Sequence, residues 1–404
     1  MQRINNNSTP MRAIPAVPVL SLATFASDGP TLPALDDAPA VQLVSSGRIA
    51  IGMALRALGV GPGDTVLVPA YHSLSMIPPV HWRGAEVVFY RVHPDTTIDL
   101  ADIARKIGPG VKAIMATHFF GFPQDLAPLR ALCDTHAIGL VEDCAHCFFG
   151  AHGGVNIGSS GDYAIGSSMK FFPIFEGGCL VSYRHRLPLR QLRSAGAGFE
   201  AKAALNALEA SFAQGRLPLL HAALVLPLRL RTALWNRVKR RAATADGPAP
   251  TTLAPASSDS SFDFDPRWID RRSSWFSRTV LRRAARARLV QRRRHHYLAL
   301  ERALAGAPGW RALFPALPDG ACPWVFPLLA EHPEALFEHL RAAGVPMVRF
   351  GAHLWPGVDA GVCANSVELG RRLFGLPCHQ ALDDAERTWL AATVRRALEQ
   401  AAAS

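Results

Sequence analysis

The sequence predicts an α/β protein with a mostly parallel central sheet and helices on both of its faces. Short apolar segments that favour strands alternate with segments in which apolar residues recur at helical spacing. Turns such as Gly61-Pro62-Gly63-Asp64 separate these segments. Repetition of strand, helix and strand favours parallel pairing, because a crossover helix is needed to return the chain to the same end of the sheet.

The alternation is clearest in the first half of the chain. Strands are predicted at 41–44, 65–69, 85–90, 113–117 and 138–142, and helices at 51–58, 77–83 and 126–135. The polar residues His72, His118 and Asp143 follow three of these strands. Ligands of parallel sheets bind beyond the carboxyl ends of the strands. The functional site is therefore predicted at this edge of the sheet.

The chain of 404 residues divides into four predicted segments. These are an N-terminal arm (1–40), a large domain with the parallel sheet (41–200), a basic helical insertion with a flexible linker (201–265), and a connecting helix with a smaller C-terminal α+β domain (266–404). In the last segment, one long basic helix is predicted around Thr279–Leu300. Asp383 and Glu386 predict the start of the final helix, because together they resemble a capping box.

Positive charge is concentrated in one part of the chain. The net charge is +11, and residues 184–294 hold 23 of the 43 Lys and Arg but only 7 of the 32 Asp and Glu. This local excess argues against a general nucleic-acid-binding surface and favours a local anionic partner, such as a diphosphate substrate or a lipid headgroup. Leu224, Leu228, Trp235 and Val238 fall near one side of a predicted helix. That helix either docks at the anionic inner face of a membrane or covers a subunit interface or the core.

The seven cysteines are scattered over the chain, and their odd number suits a reducing, cytoplasmic compartment. Cys144 and Cys147 form a CxxC, but no second pair stands at zinc-finger spacing. Buried thiols and no metal site are therefore predicted. The apolar patch at 14–25 is broken by prolines, which argues against a signal peptide, and no window is long enough for a membrane-spanning helix.

Asp143 and Lys170 are the most informative residues of the chain. Asp143 ends an apolar strand, and Lys170 follows Ser167 and Ser168 on a short polar loop. A buried carboxylate and an amine are what pyridoxal phosphate requires, since the carboxylate keeps the pyridine nitrogen protonated and the amine condenses with the aldehyde. Lysine occurs at only five positions, and arginine cannot replace it because it is effectively never deprotonated. Lys170 is therefore the predicted catalytic residue.

Five segments, in the same order along the chain, resemble the DegT/StrS family of pyridoxal-phosphate-dependent sugar aminotransferases. They are Ser45-Ser46-Gly47-Arg48, Gly61-Pro62-Gly63-Asp64-Thr65-Val66-Leu67-Val68-Pro69, His118-Phe119-Phe120-Gly121-Phe122-Pro123-Gln124-Asp125, Glu142-Asp143-Cys144-Ala145-His146 and Leu376-Pro377-Cys378-His379-Gln380-Ala381-Leu382. The resemblance covers residues 40–185 best. It implies the type I fold of pyridoxal phosphate enzymes.

The resemblance also implies how the cofactor phosphate is bound. Ser46, Gly47 and Arg48 correspond to the family's Ser-Gly turn at a helix N-terminus, where backbone amides hold phosphate. The family commonly has threonine in place of Arg48. Either the guanidinium pairs with the phosphate, or it points to solvent and only the amides serve. Ser167 and Ser168 belong to the same site, on a lysine loop that is shorter than the family's.

Two histidines stand where the family has other residues beside the cofactor ring. The family often has a large aromatic side chain at Ser73, and His72 either stacks on the ring in its place or caps the end of the strand. His146 replaces a glutamine near the phenolic oxygen of the cofactor, where imidazole makes the same hydrogen bond and can assist proton transfer. The family's neighbouring-subunit segment is not recognisable, and Ser277-Arg278 is a candidate to replace it.

By resemblance, the protein transfers an amino group from glutamate or glutamine to a keto sugar carried on a nucleotide, for polysaccharide or glycan biosynthesis. It would be a cytoplasmic homodimer that does not bind nucleic acid. One alternative is deoxygenation or dehydration of the sugar, but relatives with that activity have histidine in place of Lys170. The other is a regulatory or scaffold protein that keeps the fold without catalysis, which the altered lysine loop and the basic insertion favour.

Overall fold

The structure is a computed structural model that describes residues 14–26, 29–187, 191–225 and 264–403. Its large sheet has seven strands: β1 (Ala40–Val44), β2 (Thr65–Pro69), β3 (Glu86–Tyr90), β4 (Val111–Thr117), β5 (Gly139–Asp143), β8 (Tyr163–Gly166) and β9 (Gly178–Ser182). The short strands β6 (Ala151–His152) and β7 (Val155–Asn156) form a separate pair. The order is β1-β9-β8-β5-β4-β2-β3, and only β9 runs against its neighbours. The predicted mostly parallel sheet is confirmed.

Helices cover both faces of this sheet. In the large domain they are α1 (Gly47–Ala57), α2 (Pro78–Trp82), α3 (Leu100–Lys106) and α4 (Ala127–His136). Successive strand residues pack on opposite sides, as the pleat of a strand requires. Val141 belongs to the core that includes Ile49 and Leu55 of α1, whereas Leu140 belongs to the core that includes Leu129 of α4. Because both faces of the sheet are covered, its strands consist mostly of apolar residues instead of alternating apolar and polar ones.

The C-terminal region forms a second, smaller sheet of β10 (Trp310–Ala312), β11 (Val325–Ala330) and β12 (Leu373–Pro377), all antiparallel. The remaining helices are α5 (Ala197–Ala213), α6 (Trp275–Arg283), α7 (Arg286–Leu304), α8 (Pro333–Ala342), α9 (Ala360–Arg372) and α10 (Asp384–Ala403). Asp383 and Glu386 bond each other's backbone N–H at the start of α10, as the capping box predicted. One core joins this region to the large sheet, because Phe326 and Leu390 share a cluster with Leu67 and Ile114.

The prediction of one long helix at Thr279–Leu300 is wrong. The chain leaves the helical conformation at Ala284 and Ala285, which separate α6 from α7. Ala285 N–H donates to Thr24 O at 2.8 Å, so a contact with the N-terminal arm replaces the intrahelical bond at this position. The basic periodicity continues across the break, which is why the sequence pattern did not reveal it.

The predicted linker at 242–262 and most of the predicted amphipathic helix lie outside the described residues. Within the described ranges, no helix has the length and apolar character needed to cross a bilayer. The seven cysteines are all buried and unbonded to one another. Burial raises the pKa of both Cys144 and Cys147 well above the usual thiol value, which suits inert thiols.

Candidate active site

The N-terminus of α1 lies at the carboxyl edge of the sheet, beside the lysine loop. Ser46 is the cap of α1, and its Oγ accepts a hydrogen bond from Ile49 N–H at 3.4 Å. A Cβ added to Gly47 would lie 3.4 Å from Gly166 O and 3.5 Å from the Cβ of Ser167, so this turn packs directly on the loop. Arg48 lies partly buried in the first turn of α1. The predicted residues Ser46, Gly47, Arg48 and Ser167 are thus close together.

Asp143 ends β5 with its side chain buried at the same edge. Its Oδ1 accepts from Ala145 N–H at 2.9 Å, and its Oδ2 accepts from the Thr117 hydroxyl at 3.3 Å. Burial raises the pKa of Asp143, although the Ala145 hydrogen bond and the charge of Lys170 act against this shift. Asp143 and Lys170 are therefore close enough for their charges to interact. The carboxylate still has capacity for a further hydrogen bond from a ligand.

Lys170 ends a short 3-10 turn (Ser168–Lys170) that follows β8. Its Nζ lies 4.7 Å from the centroid of the Trp324 ring, in a cation–π arrangement. Burial lowers the pKa of Lys170 from its ordinary value of 10.5 to about 8, and the nearby Asp143 carboxylate opposes that shift. A lysine with this pKa has a substantial neutral fraction near neutral pH, which is the form that acts as a nucleophile or base.

His146 is buried among aromatic side chains. Its ring centroid lies 4.0 Å from that of Trp324, 4.7 Å from that of Phe350 and 5.7 Å from that of Phe120. Burial, reinforced by the charge of Lys170, lowers the pKa of His146 well below its usual range, so the imidazole is neutral. Among the residues that the structure describes, its Nδ1 atom has no hydrogen-bond partner.

His72 has a different environment from the other predicted site residues. Its Nδ1 donates to Ala70 O at 2.9 Å, and its Nε2 accepts from Trp355 N–H at 3.1 Å. Its ring stacks on Phe89 with centroids 4.9 Å apart. Burial lowers the pKa of His72 to about 4, which keeps it neutral. With both ring nitrogens engaged, the geometry favours the strand-end alternative over stacking on a cofactor.

His118, Glu142 and Cys144 are buried within reach of one another, yet the geometry does not suit a metal. His118 Nδ1 accepts from Gln124 N–H, and Nε2 lies 2.9 Å from Glu142 Oε1, so this nitrogen carries the proton and donates it. Neither ring nitrogen of His118 retains a lone pair for an ion. The cluster is a hydrogen-bond network that supports the end of β5.

Three side chains of the C-terminal region contact this site and were missed from the sequence: Trp324, Phe350 and Arg293. Trp324 reaches the site through a close backbone approach. A Cβ on Gly121 would lie 2.1 Å from Cys322 O, and Gly121 has φ +97°, so only glycine fits. Trp324 N–H donates to Phe120 O at 2.8 Å. The family-like segment His118–Gly121 indicated a functional position, but the sequence does not show that Cys322 and Trp324 pack against it.

The residues present fit pyridoxal phosphate. Two buried polar atoms, His146 Nδ1 and Ser168 Oγ, have no hydrogen-bond partner among the described residues, and they lie three residues after Asp143 and two residues before Lys170. Buried polar atoms normally have partners, so these two atoms are available to a ligand. The α1 N-terminus offers backbone N–H groups for a phosphate next to the lysine loop.

The sheet with one reversed strand, and the lysine and aspartate at its carboxyl edge, are those of an α/β protein with the type I fold. The chain belongs to the DegT/DnrJ/EryC1/StrS aminotransferase family, whose sequence model matches residues 36–286. The resemblance to this family is thereby confirmed.

Curated relatives match part of the chain. The GDP-perosamine synthase of Vibrio cholerae is 36% identical over 142 residues, which are 34% of this chain and 39% of that protein. The dTDP-3-amino-3,4,6-trideoxy-alpha-D-glucose transaminase of Streptomyces venezuelae is 34% identical over 162 residues, 38% of this chain and 42% of that protein. The matched segment thus spans less than half the length of these relatives.

Solved structures match over most of the chain. The aminotransferase TlmJ from Streptoalloteichus hindustanus aligns with a TM-score of 0.61 at 22% identity, covering 89% of this chain and 85% of that one. AtS13 from Actinomadura melliaura aligns with a TM-score of 0.61 at 19% identity, covering 96% and 99%. At these identities the likeness shows the fold alone, which is that of the type I enzymes.

Proposed function

We propose that this protein is a pyridoxal-phosphate-dependent aminotransferase in which Lys170 is the catalytic residue. The observation that carries the proposal is the pair formed by buried Asp143 and half-buried Lys170 at the carboxyl edge of the sheet, with the pKa of Lys170 lowered to about 8. The cofactor, when bound, supplies an electron-withdrawing ring that stabilises negative charge on the substrate carbon that bears the amine.

Each predicted site residue has a role in this proposal. Backbone N–H groups of Gly47 and Arg48, with the Ser46 cap and Ser167, hold the phosphate. The Asp143 carboxylate accepts a hydrogen bond from the pyridine nitrogen and keeps its proton in place. Lys170 Nζ would hold and move the proton that leaves the substrate α-carbon during transamination.

His146 and Ser168 complete the polar surroundings of the cofactor. His146 Nδ1 would donate to the phenolic oxygen of the bound cofactor, and its neutral state would let it donate without adding charge. Ser168 Oγ bonds a second polar atom of the cofactor. Both assignments use atoms that lack other partners within the described ranges. His72 instead fixes the β2 end against Trp355.

The acceptor is a keto sugar carried on a nucleotide, and the donor is glutamate or glutamine. Support comes from the relatives, whose names describe a GDP-perosamine synthase and a dTDP-aminosugar transaminase. A cavity of about 420 Å³ offers an entry beside the site, and its lining includes Ser73 and Phe350, the latter in contact with His146. Serine in place of the family's large aromatic side chain leaves this space open. The presence of lysine at 170 favours transamination over deoxygenation.

The test is reduction of the purified full-length protein with borohydride after addition of pyridoxal phosphate. A cofactor-linked peptide containing Lys170, together with an absorbance band that Lys170→Ala removes, is the expected result. Linkage at Lys106, Lys112 or Lys202 instead would overturn the assignment. A protein that binds no cofactor at all would favour the regulatory or scaffold alternative.

We also infer a cytoplasmic homodimer that contacts an anionic membrane surface through the basic segment. Leu219 is 87% exposed and Leu220 is 41% exposed, so apolar side chains are available next to the basic stretch. Lys and Arg near an anionic leaflet contribute about 1 kcal/mol each. Light scattering gives the molar mass in solution and so tests whether the protein is a dimer. Sedimentation with anionic and neutral liposomes tests the membrane contact, and equal partitioning that is unchanged by deletion of 216–262 would reject it.

A further inference from the structure

Arg293 of α7 is the largest fully buried side chain with a charge, at 0% exposure. Its guanidinium uses every N–H donor. Nε donates to Gln380 Oε1 at 2.9 Å, Nη1 donates to the carbonyls of Pro323 and Trp324 at 3.0 and 3.1 Å, and Nη2 donates to the carbonyls of Lys170 and Phe171 at 2.9 and 3.4 Å. One side chain thus joins the lysine loop, the segment before β11 and the segment after β12.

The guanidinium has no carboxylate partner among the residues that the structure describes. Its neighbours are carbonyl oxygens, one amide and the Phe171 ring, whose centroid lies 4.6 Å away. Burial lowers the pKa of Arg293 below its ordinary value. A buried charge without a counter-ion is costly to the fold, so its presence calls for a gain other than stability.

Two of the four carbonyls that Arg293 joins belong to residues whose side chains meet at the site. Lys170 and Trp324 are held by the same fork through their carbonyls, and Lys170 Nζ lies 4.7 Å from the centroid of the Trp324 ring. Trp324 in turn packs on His146 with ring centroids 4.0 Å apart. Gln380 strengthens the junction, because its Nε2 donates to Phe171 O at 2.7 Å.

We propose that Arg293 is a positioning residue that fixes Lys170 against Trp324 and His146 by clamping both main-chain segments. The inference rests on the proposed function only in assuming that the placement of the Lys170 amine matters for catalysis. The guanidinium does not contact the amine, so it acts through the backbone. Lysine cannot replace the planar five-donor fork.

The placement of Lys170 can be read from its own titration. The groups that face its amine are the Asp143 carboxylate of β5, the neutral His146 imidazole and the Trp324 ring. Burial holds the pKa of Lys170 at about 8 in the parent protein. A lysine released from this position moves toward water, and its pKa rises toward the ordinary value.

The experiment compares Arg293→Met with Arg294→Met in the full-length protein, freed of any cofactor. Arg294 is a matched control, because it follows on the same helix and donates to the carbonyls of Pro318 and Ala321, away from the lysine loop. Brief acetylation at a series of pH values, with mass spectrometry of the Lys170 peptide and exposed Lys112 as reference, gives the apparent pKa of the amine.

In Arg293→Met, the apparent pKa of Lys170 should rise by about one unit or more, which lowers the neutral, reactive fraction of the amine at pH 8 by about fivefold or more. Arg294→Met should leave the profile unchanged. In the cofactor-loaded enzyme, Arg293→Met should lower kcat by about 10- to 100-fold with a smaller change in KM, because a misplacement near 1 Å has this effect. A folded Arg293→Met protein with the parent profile would overturn the proposal.

Two milder variants keep the test decisive if Arg293→Met does not fold. Arg293→Lys retains the charge but loses the fork, and Gln380→Leu removes the acceptor of Nε and the bond to Phe171 O. Both should shift the Lys170 profile in the same direction by less, and an unchanged profile in both would reject the clamp. The borohydride result is separate: a shifted profile without cofactor linkage would reject the proposed function and leave the positioning role intact.

Discussion

Glu142 and Asp143 are adjacent carboxylates at the end of β5, and they have opposite environments. Glu142 points to the α4 face and accepts hydrogen bonds from His118 and from the backbone N–H groups of Gly158, Ser160 and Gly161. Asp143 points to the α1 face and, among the residues that the structure describes, accepts only from Ala145 N–H and the Thr117 hydroxyl. The strand pleat alone sends the two side chains to different faces of the sheet.

The difference in donors separates a carboxylate that is saturated by the fold from one that can still bind a ligand. Burial by itself would raise the pKa of Glu142, but the bond from His118 and the backbone N–H groups outweigh it and hold the pKa below its usual value. For Asp143 burial prevails and the pKa is raised. Glu142 is saturated and stabilises the fold. Asp143 retains capacity for a ligand that brings its own positive charge.

The largest expected effect belongs to Asp143→Asn. Because phosphate anchoring at Ser46 and Gly47 remains, the variant should still bind cofactor, but transamination should fall by about a thousandfold or more, since the ring nitrogen loses its carboxylate. Its thermal stability should equal or exceed that of the parent, because a buried charge is removed. Steady-state kinetics and thermal unfolding measure both. A nearly fully active variant would show that another group serves the ring nitrogen.

Glu142→Gln should show the reverse pattern. The amide loses the charge that three backbone donors and His118 stabilise, and its NH2 group faces N–H donors that it cannot satisfy. The free energy of unfolding should fall by about 2–3 kcal/mol, while kcat per folded molecule changes little. Denaturant titration gives the first quantity. If kcat fell as far as in Asp143→Asn, the distinction between the two carboxylates would fail.

Lys170→Met should stabilise the protein without cofactor, because a buried amine with a lowered pKa weakens the fold. The folded pKa is about 8, against 10.5 for the ordinary amine. Below about pH 8 the Lys170 amine is protonated in both the folded and the unfolded parent protein. The folded state then bears the full cost of desolvating this charge. Between these values the unfolded chain binds more protons, so the stability of the parent rises with pH. The advantage of the variant should therefore be greatest below pH 8 and vanish above 10.5. An advantage independent of pH would show that the amine is not buried.

The smallest effect is expected for His146→Gln. Glutamine is the family's residue at this position, and its amide can donate to the same oxygen. The substitution weakens one hydrogen bond and removes no charge, so kcat should change by less than about tenfold. His146→Leu is the matched control, since it preserves an apolar contact with Trp324 but cannot donate. Equal losses in both variants would show that packing, and not the hydrogen bond, is the role of His146.

The mostly parallel sheet and the proposed pair of Asp143 and Lys170 could be read from the sequence because they depend on local signals. Strand and helix periods, the cap at Ser46 and the strand end at Asp143 are each determined by residues close together in the chain. The family resemblance over 40–185 depends on the same segments. The fold class and the family could therefore be recognised without a structure.

The contributions of the C-terminal region could not be predicted in the same way. Arg293 appeared as one arginine in a basic run, and Trp324 had no motif around it, because their partners are long-range: the Lys170 carbonyl for Arg293 and His146 for Trp324. The break between α6 and α7 was missed for the same reason, since Thr24 of the arm determines it. Contacts between distant segments leave no periodic signal.

The most direct test of the account is the first half-reaction in the two carboxylate variants. Glutamate is added to cofactor-loaded Asp143→Asn and Glu142→Gln, and the rate of loss of the visible absorbance band is measured in a stopped-flow instrument. The account predicts a rate near that of the parent for Glu142→Gln and a rate lower by about a thousandfold for Asp143→Asn. Equal rates in the two variants would contradict the assignment of Asp143 as the carboxylate of the cofactor site.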